Sequence, residues 1–133
     1  MTGIEAMFDA MMAEEGWRAG SVSNRNRNPL NLRASIVTHK MDAGGYCVFG
    51  DILAGVVAGL EEVRAKVTGH NEHGIGPDST LDQLFDVYAP RSDHNNPNAY
   101  ALAVAEWCST ALGRAITHNS TLRAICPEEF NGG

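Results

Sequence analysis

The chain has 133 residues, of which 44% are hydrophobic and 20% are charged, and this composition predicts one globular domain over residues 1–133. The formal net charge is −6 and the ten Lys and Arg residues are scattered, which argues against nucleic acid as a partner. The three cysteines, Cys47, Cys108 and Cys126, are odd in number and lack CxxC spacing, so they give no zinc signature and no full disulfide framework. One bridge is possible, but we expect three free thiols, two of them in the core.

The N-terminal residues are not those of a signal peptide. They carry no basic segment, and acidic residues interrupt the apolar stretch that follows. No apolar run approaches the length of a membrane span. We therefore expect a monomer that is synthesised in the cytoplasm, has no membrane span and needs no cofactor.

The first predicted element is a helix over residues 4–15. Its apolar residues recur every three or four positions, and Gly16 is a suitable end: Ile4, Met7, Phe8, Met11 and Met12. A polar, Asn-rich loop over residues 18–29 follows. Leu30, Leu32, Ile36 and Val37 are expected to form one strand or irregular arm of an antiparallel hairpin, and residues 46–49 the other strand.

The rest of the chain is predicted to be helical. Asp51 caps a long helix that ends at Gly69, with an apolar stripe of Ile52, Leu53, Val56, Val57, Leu60, Val63 and Val67. Ser79 or Thr80 caps the next helix, and Ala89-Pro90 ends it. Asn96-Pro97 begins a helix that runs to Gly113, and a short helix covers residues 120–125. The predicted fold is mainly α, with a small hairpin after the first helix that can form a cleft.

Glu15 is the residue whose position points to chemistry. At about 100° per residue it falls within about 20° of Ile4, in the middle of the apolar face of the first helix. Desolvation there would raise the pKa of its carboxyl group, as a general acid of a glycosidase requires. The alternative is that the helix ends at Glu15 and its side chain simply reaches water.

Other polar and aromatic residues have two interpretations each. The amide-rich loop from Asn24 to Arg33 could bind sugar hydroxyl and N-acetyl groups, or could use Asn for its backbone freedom. Tyr88, Tyr100 and Trp17 are either core aromatics or sugar-stacking residues. His70, Glu72 and His73 resemble a metal cluster, but their glycine-containing stretch looks like a loop, and we expect no metal site.

Taken in order, these motifs resemble a phage-associated family of the lysozyme-like superfamily, which includes goose-type lysozymes and lytic transglycosylases. The similarity covers most of the chain, and the ordered set is more specific than any single motif. The matching motifs are Glu15-Gly16, the run from Arg25 to Arg33, Gly45-Tyr46-Cys47-Val48-Phe49, Ala54-Gly55, Tyr88-Ala89-Pro90, Asn95-Asn96-Pro97, Ala99-Tyr100, Leu112-Gly113 and Leu122 to Ile125.

The resemblance implies an α+β lysozyme-like fold and cleavage of the glycan strand of peptidoglycan. Glu15 becomes the expected catalytic acid, and the expected glycan contacts are Asn28, Asn31, Arg33, Tyr88 and Tyr100. Such an enzyme would reach the cell wall with a virion or by another export route. A non-catalytic, glycan-binding or structural virion protein on the same fold is the alternative.

Two features leave the resemblance incomplete. The family pattern Asn-Pro-Gly-Asn has Leu30 in place of glycine, which would be strained if that position needs a positive φ. No second carboxylate stands out for a hydrolase, although Asp42, Asp51 and Asp93 are options. The sequence therefore leaves hydrolase and transglycosylase open.

Overall fold

A computed structural model describes residues 1–90 and 95–131 of the chain. Within these ranges the fold is mainly α with one small antiparallel sheet, as predicted. In chain order the elements are α1 (Gly3–Glu14), α2 (Val22–Arg25), β1 (His39–Met41), β2 (Cys47–Phe49), α3 (Ile52–Thr68), α4 (Leu81–Tyr88), α5 (Pro97–Leu112) and α6 (Leu122–Ile125), followed by a 3₁₀ turn at Pro127–Glu129. No helix in the described ranges is long and apolar enough to cross a membrane.

Local capping signals explain where the helices begin and end. Thr2 and Thr80 form capping boxes at the starts of α1 and α4. The Asp51 carboxylate accepts a hydrogen bond from the Ala54 N–H at the start of α3. α3 ends at Gly69 in the left-handed conformation. The predicted helix boundaries are therefore confirmed to within one or two residues.

The core forms where α1 packs against α3 and α5, and α4 packs against α5. The predicted apolar face of α1 is confirmed, since Ile4, Met7, Phe8 and Met11 are all buried. The N-terminal end of α1 is also fixed by the last part of the chain. The Gly3 N–H donates to Glu128 Oε1 at 2.7 Å. All three cysteines are free and buried, where two were expected in the core.

The prediction that residues 30–37 form the first arm of the hairpin was wrong. Leu30 and Leu32 are buried in an irregular loop, Ile36 is exposed, and the strand that pairs with β2 is β1. Its register sets His39 opposite Phe49. The loop keeps its shape because other groups satisfy its backbone polar atoms, as described for the site below.

The predicted buried stripe of α3 was also wrong in its first half. Ile52, Leu53 and Val57 are exposed, whereas the buried face carries small residues and then Val63, Lys66 and Val67. Small residues are needed because neighbouring segments approach the helix axis closely. Phe8 and Leu30 lie against Gly59, and the carbonyl of Arg27 lies against Gly55.

Gly55→Ala should destabilise the fold by about 2 kcal/mol, because overpacking at such a site costs about 1–3 kcal/mol. An added Cβ would overlap the Arg27 carbonyl oxygen, so the loop or the helix would have to move. Urea unfolding of the two proteins measures the difference. Gly50→Ala is the matched control, since a Cβ there meets no described atom within 4 Å. Equal loss in both variants would contradict this packing explanation.

Candidate active site

A pocket of about 1090 Å³ opens between the end of α1, the loop around Asn31, the middle of α3 and the end of α4. Its charged and polar lining includes Glu15, Asn31, Arg33, Glu62, Lys66 and Tyr88. These residues come from four separate segments, so the pocket exists only in the folded chain. It has the size and mixed polarity of a ligand-binding cleft.

Glu15 is the C-cap residue of α1 and lies in the wall of this pocket. Its side chain is half-buried, so Glu15 is not the fully solvated carboxylate of the alternative interpretation. Burial, and secondarily the charge of Glu14, raise the pKa of Glu15 to about 7. The raised pKa agrees with the position of Glu15 on the apolar face of the helix. A large share of the carboxyl groups is therefore protonated at neutral pH.

The raised pKa of Glu15 predicts that stability falls as pH rises from about 4.5 through about 7. The sign follows because the folded state holds this proton more tightly than the unfolded state, so ionisation favours unfolding. Glu15→Gln should then be more stable than wild type by about 2 kcal/mol at pH 8 and no more stable at pH 4. Urea unfolding at both pH values measures this difference.

The control for that comparison is Glu106→Gln, which changes an exposed carboxylate on α5. It should stay within about 0.5 kcal/mol of wild type at both pH values. A Glu15→Gln effect that is the same at pH 4 and pH 8 would mean that ionisation of Glu15 is not its cause.

Asn28, expected from the sequence to bind the glycan, does not line the pocket. It is fully buried, and its amide group donates to the carbonyl oxygens of Leu32 at 2.9 Å and Cys47 at 3.0 Å. Its Oδ1 accepts from the Leu32 N–H at 2.9 Å. Both amide hydrogens are used, which leaves none for a sugar. Asn28 instead fixes the loop that carries Asn31.

Asn31 lies in the pocket with a left-handed backbone, φ 52°. Asn adopts this region more readily than most residues. Leu30 is not among the residues of positive φ, and its side chain is buried, so leucine in place of the family's glycine is not strained. The Asn31 Oδ1 is buried and accepts no hydrogen bond from any described residue. A buried polar atom without a partner is uncommon in folded proteins.

Arg33 lies at the rim of the pocket and is held by the hairpin. Its guanidinium lies over the Tyr46 ring at 4.2 Å, donates to Tyr46 Oη at 3.1 Å and donates to the Gly44 carbonyl at 3.1 Å. It remains exposed. These contacts present a cation with a fixed orientation beside the opening.

The two expected cleft tyrosines have different positions. Tyr88 lines the pocket, and its hydroxyl donates to the Leu30 carbonyl at 3.0 Å. Burial, together with the nearby charges of Glu15 and Glu62, raises the pKa of Tyr88 well above its usual range. Tyr100 is instead buried in the core, stacked on Phe85 with ring centroids 4.3 Å apart. The expectation that Tyr100 faces the cleft was therefore wrong.

Two of the three optional second carboxylates, Asp42 and Asp51, do not line the pocket. Asp42 shapes the hairpin turn, where hydrogen bonds from the backbone of Tyr46 and the side chain of Asn26 lower its pKa. Asp51 caps α3. Asp93 lies outside the described residues. Neither Asp42 nor Asp51 is therefore placed to act on a ligand beside Glu15.

Sequence reasoning missed a pair of charged residues on α3. Lys66 Nζ lies 2.7 Å from Glu62 Oε1, and both side chains line the pocket. Lys66 is buried, with a residue exposure of 8%. The Glu-to-Lys spacing of four residues on one helix was a usable signal.

His70, Glu72 and His73 border the outer part of the pocket. His70 Nδ1 is within 2.9 Å of the Thr68 hydroxyl. No group of three or more His, Cys, Asp or Glu residues in the described ranges is arranged to hold a metal ion. The metal-cluster interpretation of these three residues therefore has no geometric support.

Together the described residues place one protonatable carboxyl, one ion-paired carboxylate and an unsatisfied amide acceptor around one pocket. Such a set can donate a proton to a ligand oxygen while polar groups orient the ligand. Comparison of the chain with known protein families, with curated proteins and with solved structures finds no match in any of the three. We therefore infer its function from the pocket and from the sequence motifs.

Proposed function

We propose that this protein cleaves the glycan strand of bacterial peptidoglycan, with Glu15 as the general acid. The observation that carries the proposal is a half-buried carboxyl group of pKa about 7 in the wall of a large polar pocket. A glycosidase acid has to remain protonated near neutral pH until it meets the glycosidic oxygen. The burial of Glu15 and the charge of Glu14 supply that condition.

In the proposed reaction, Glu15 protonates the oxygen between N-acetylmuramic acid and N-acetylglucosamine. The bond from this oxygen to the anomeric carbon then breaks through a transition state of oxocarbenium character. Attack by water completes hydrolysis, whereas attack by the muramyl 6-hydroxyl gives an anhydro product. Glu15 acts the same way in the first step of both reactions.

Asn31, Arg33 and Tyr88 are the proposed glycan contacts. The side-chain amide of Asn31 lines the pocket and can form a hydrogen bond with an acetamido group or a sugar hydroxyl. Arg33 can pair with a carboxylate of the muramyl substituent at the rim. Tyr88 forms the wall beside Glu15 and offers an aromatic surface to a sugar ring.

The test is digestion of purified peptidoglycan by the protein, with mass spectrometry of the soluble products. Muropeptides with reducing ends, or anhydro-muropeptides, would support the proposal and distinguish water from the 6-hydroxyl as nucleophile. Binding of the protein to the glycan without any soluble product would overturn it. That result would instead favour the non-catalytic glycan-binding alternative.

A further inference from the structure

The Glu62–Lys66 pair differs from the other ion pairs that involve Lys or Arg in the described ranges. The pairs of Arg64 and Arg123 lie on the surface, where their arginine side chains are 44% and 51% exposed. The Lys66 side chain is only 10% exposed, and that of Glu62 is 30% exposed, open toward the pocket. Removing a charge pair from water costs free energy that its mutual attraction often fails to offset. Stability alone is therefore a weak explanation for this pair.

Glu62 and Glu15 reach the same pocket from different elements. Glu62 projects from the middle of α3, and Glu15 from the end of α1. Both carboxylates lie close enough to Tyr88 for their charges to raise the pKa of its hydroxyl group. That hydroxyl group donates a hydrogen bond to the Leu30 carbonyl. The pocket has room for a sugar ring and a water molecule.

The surroundings of the two carboxyl groups are opposite in charge. Glu15 has an acidic neighbour, Glu14, and forms no ion pair with any described residue. Glu62 has the ammonium group of Lys66 on Oε1, which compensates its negative charge. Two carboxyl groups in opposed environments are the arrangement that divides acid and base roles in one site.

Building on the proposed function, we propose that Glu62 is the general base for an attacking water and that Lys66 is its positioning residue. A proton passes from the water to Glu62 as the water oxygen bonds to the anomeric carbon. The bond from that carbon to the leaving oxygen breaks, and this oxygen takes the proton of Glu15. Loss of the proton from Glu62 to solvent and uptake of one by Glu15 restore the site. The protein is then an inverting hydrolase.

The test measures peptidoglycan cleavage by wild type, Glu62→Gln and Lys66→Met, with early-time proton NMR of the released reducing ends. Wild type should release the inverted anomer. Glu62→Gln should lower kcat by about 100-fold with little change in KM. Lys66→Met should lower kcat, and Lys66→Arg should restore part of the lost turnover, because arginine returns a cation beside Glu62. Azide should restore turnover to Glu62→Ala, since azide attacks without a base.

Glu61→Gln is the matched control, because Glu61 is the preceding residue and is exposed on the same helix. It should keep wild-type turnover. Glu62→Gln leaves a buried ammonium unpaired, so the double variant Glu62→Gln/Lys66→Met is included with circular dichroism and thermal unfolding. This variant should fold and remain inactive.

Several results would overturn the role of Glu62. They are full activity of the folded Glu62→Gln or double variant, a product of retained configuration, and anhydro products from wild type. Each of these leaves Glu15 as the acid. Absence of any product from wild type would overturn the proposed function together with this inference.

Discussion

Glu15→Gln should lower the rate of glycan cleavage by about 10³-fold, because a positioned general acid contributes about 10²–10⁴-fold. Glutamine keeps the size of the side chain but has no acidic proton to give. The fold should be retained, since Glu15 makes no ion pair in the described part of the chain and is the C-cap rather than an interior residue of α1. Release of muropeptides from purified peptidoglycan measures the effect.

The pH dependence gives a second readout of the same role. Because Glu15 must be protonated to act, the kcat of wild type should fall as pH rises above about 7. Glu14→Gln is the control, since Glu14 is exposed and adjacent. It should retain activity while its basic limb moves to lower pH, because the charge of Glu14 helps to raise the pKa of Glu15. Undiminished activity of Glu15→Gln would refute the assignment.

Asn28→Ala should destabilise the protein by about 4 kcal/mol. The substitution removes hydrogen bonds to the Leu32 carbonyl, the Cys47 carbonyl and the Leu32 N–H, all inside the protein. Each buried polar group left without a partner costs about 1–3 kcal/mol. The same loop carries Asn31, so kcat/KM for glycan cleavage should fall as well.

Urea unfolding and steady-state kinetics measure the two effects of Asn28→Ala. Asn24→Ala is the control in the same segment, because the Asn24 side chain makes no hydrogen bond within the described residues. It should change stability by less than about 1 kcal/mol. A loss in Asn28→Ala no larger than in Asn24→Ala would show that the buried amide does not hold the loop.

The local signals in the sequence predicted the helices well. Thr80 and Asp51 cap their helices through side-chain hydrogen bonds that span only three residues, so the sequence alone shows them. The spacing of apolar residues in α1 predicted that Glu15 lies on the buried side of that helix. This prediction needed only the regular geometry of one helix. These features depend on neighbours within a few positions along the chain.

The errors arose where distant segments decide the environment. The buried face of α3 follows from the close approach of Arg27 and Phe8, which favours Gly55 and Gly59 over Ile52 and its apolar neighbours. The periodicity of α3 contains no information about that approach. The sequence motifs predicted that Asn28 and Tyr100 lie in the site. Their positions instead depend on contacts with other segments: Asn28 donates to the Cys47 carbonyl, and Tyr100 stacks on Phe85.

The attachment of Gly3 to Glu128 has a consequence for synthesis on the ribosome. α1 leaves the ribosome before α5 and Glu128, yet it packs against α5, and Glu128 accepts hydrogen bonds from the backbone of Gly3 and Ile4. The contacts between α1 and these late segments therefore form only after the segments have been translated. A nascent chain that lacks them leaves uncovered the face of α1 that packs on α5, and the N-terminal end of α1 has no carboxylate acceptor until residue 128 has emerged.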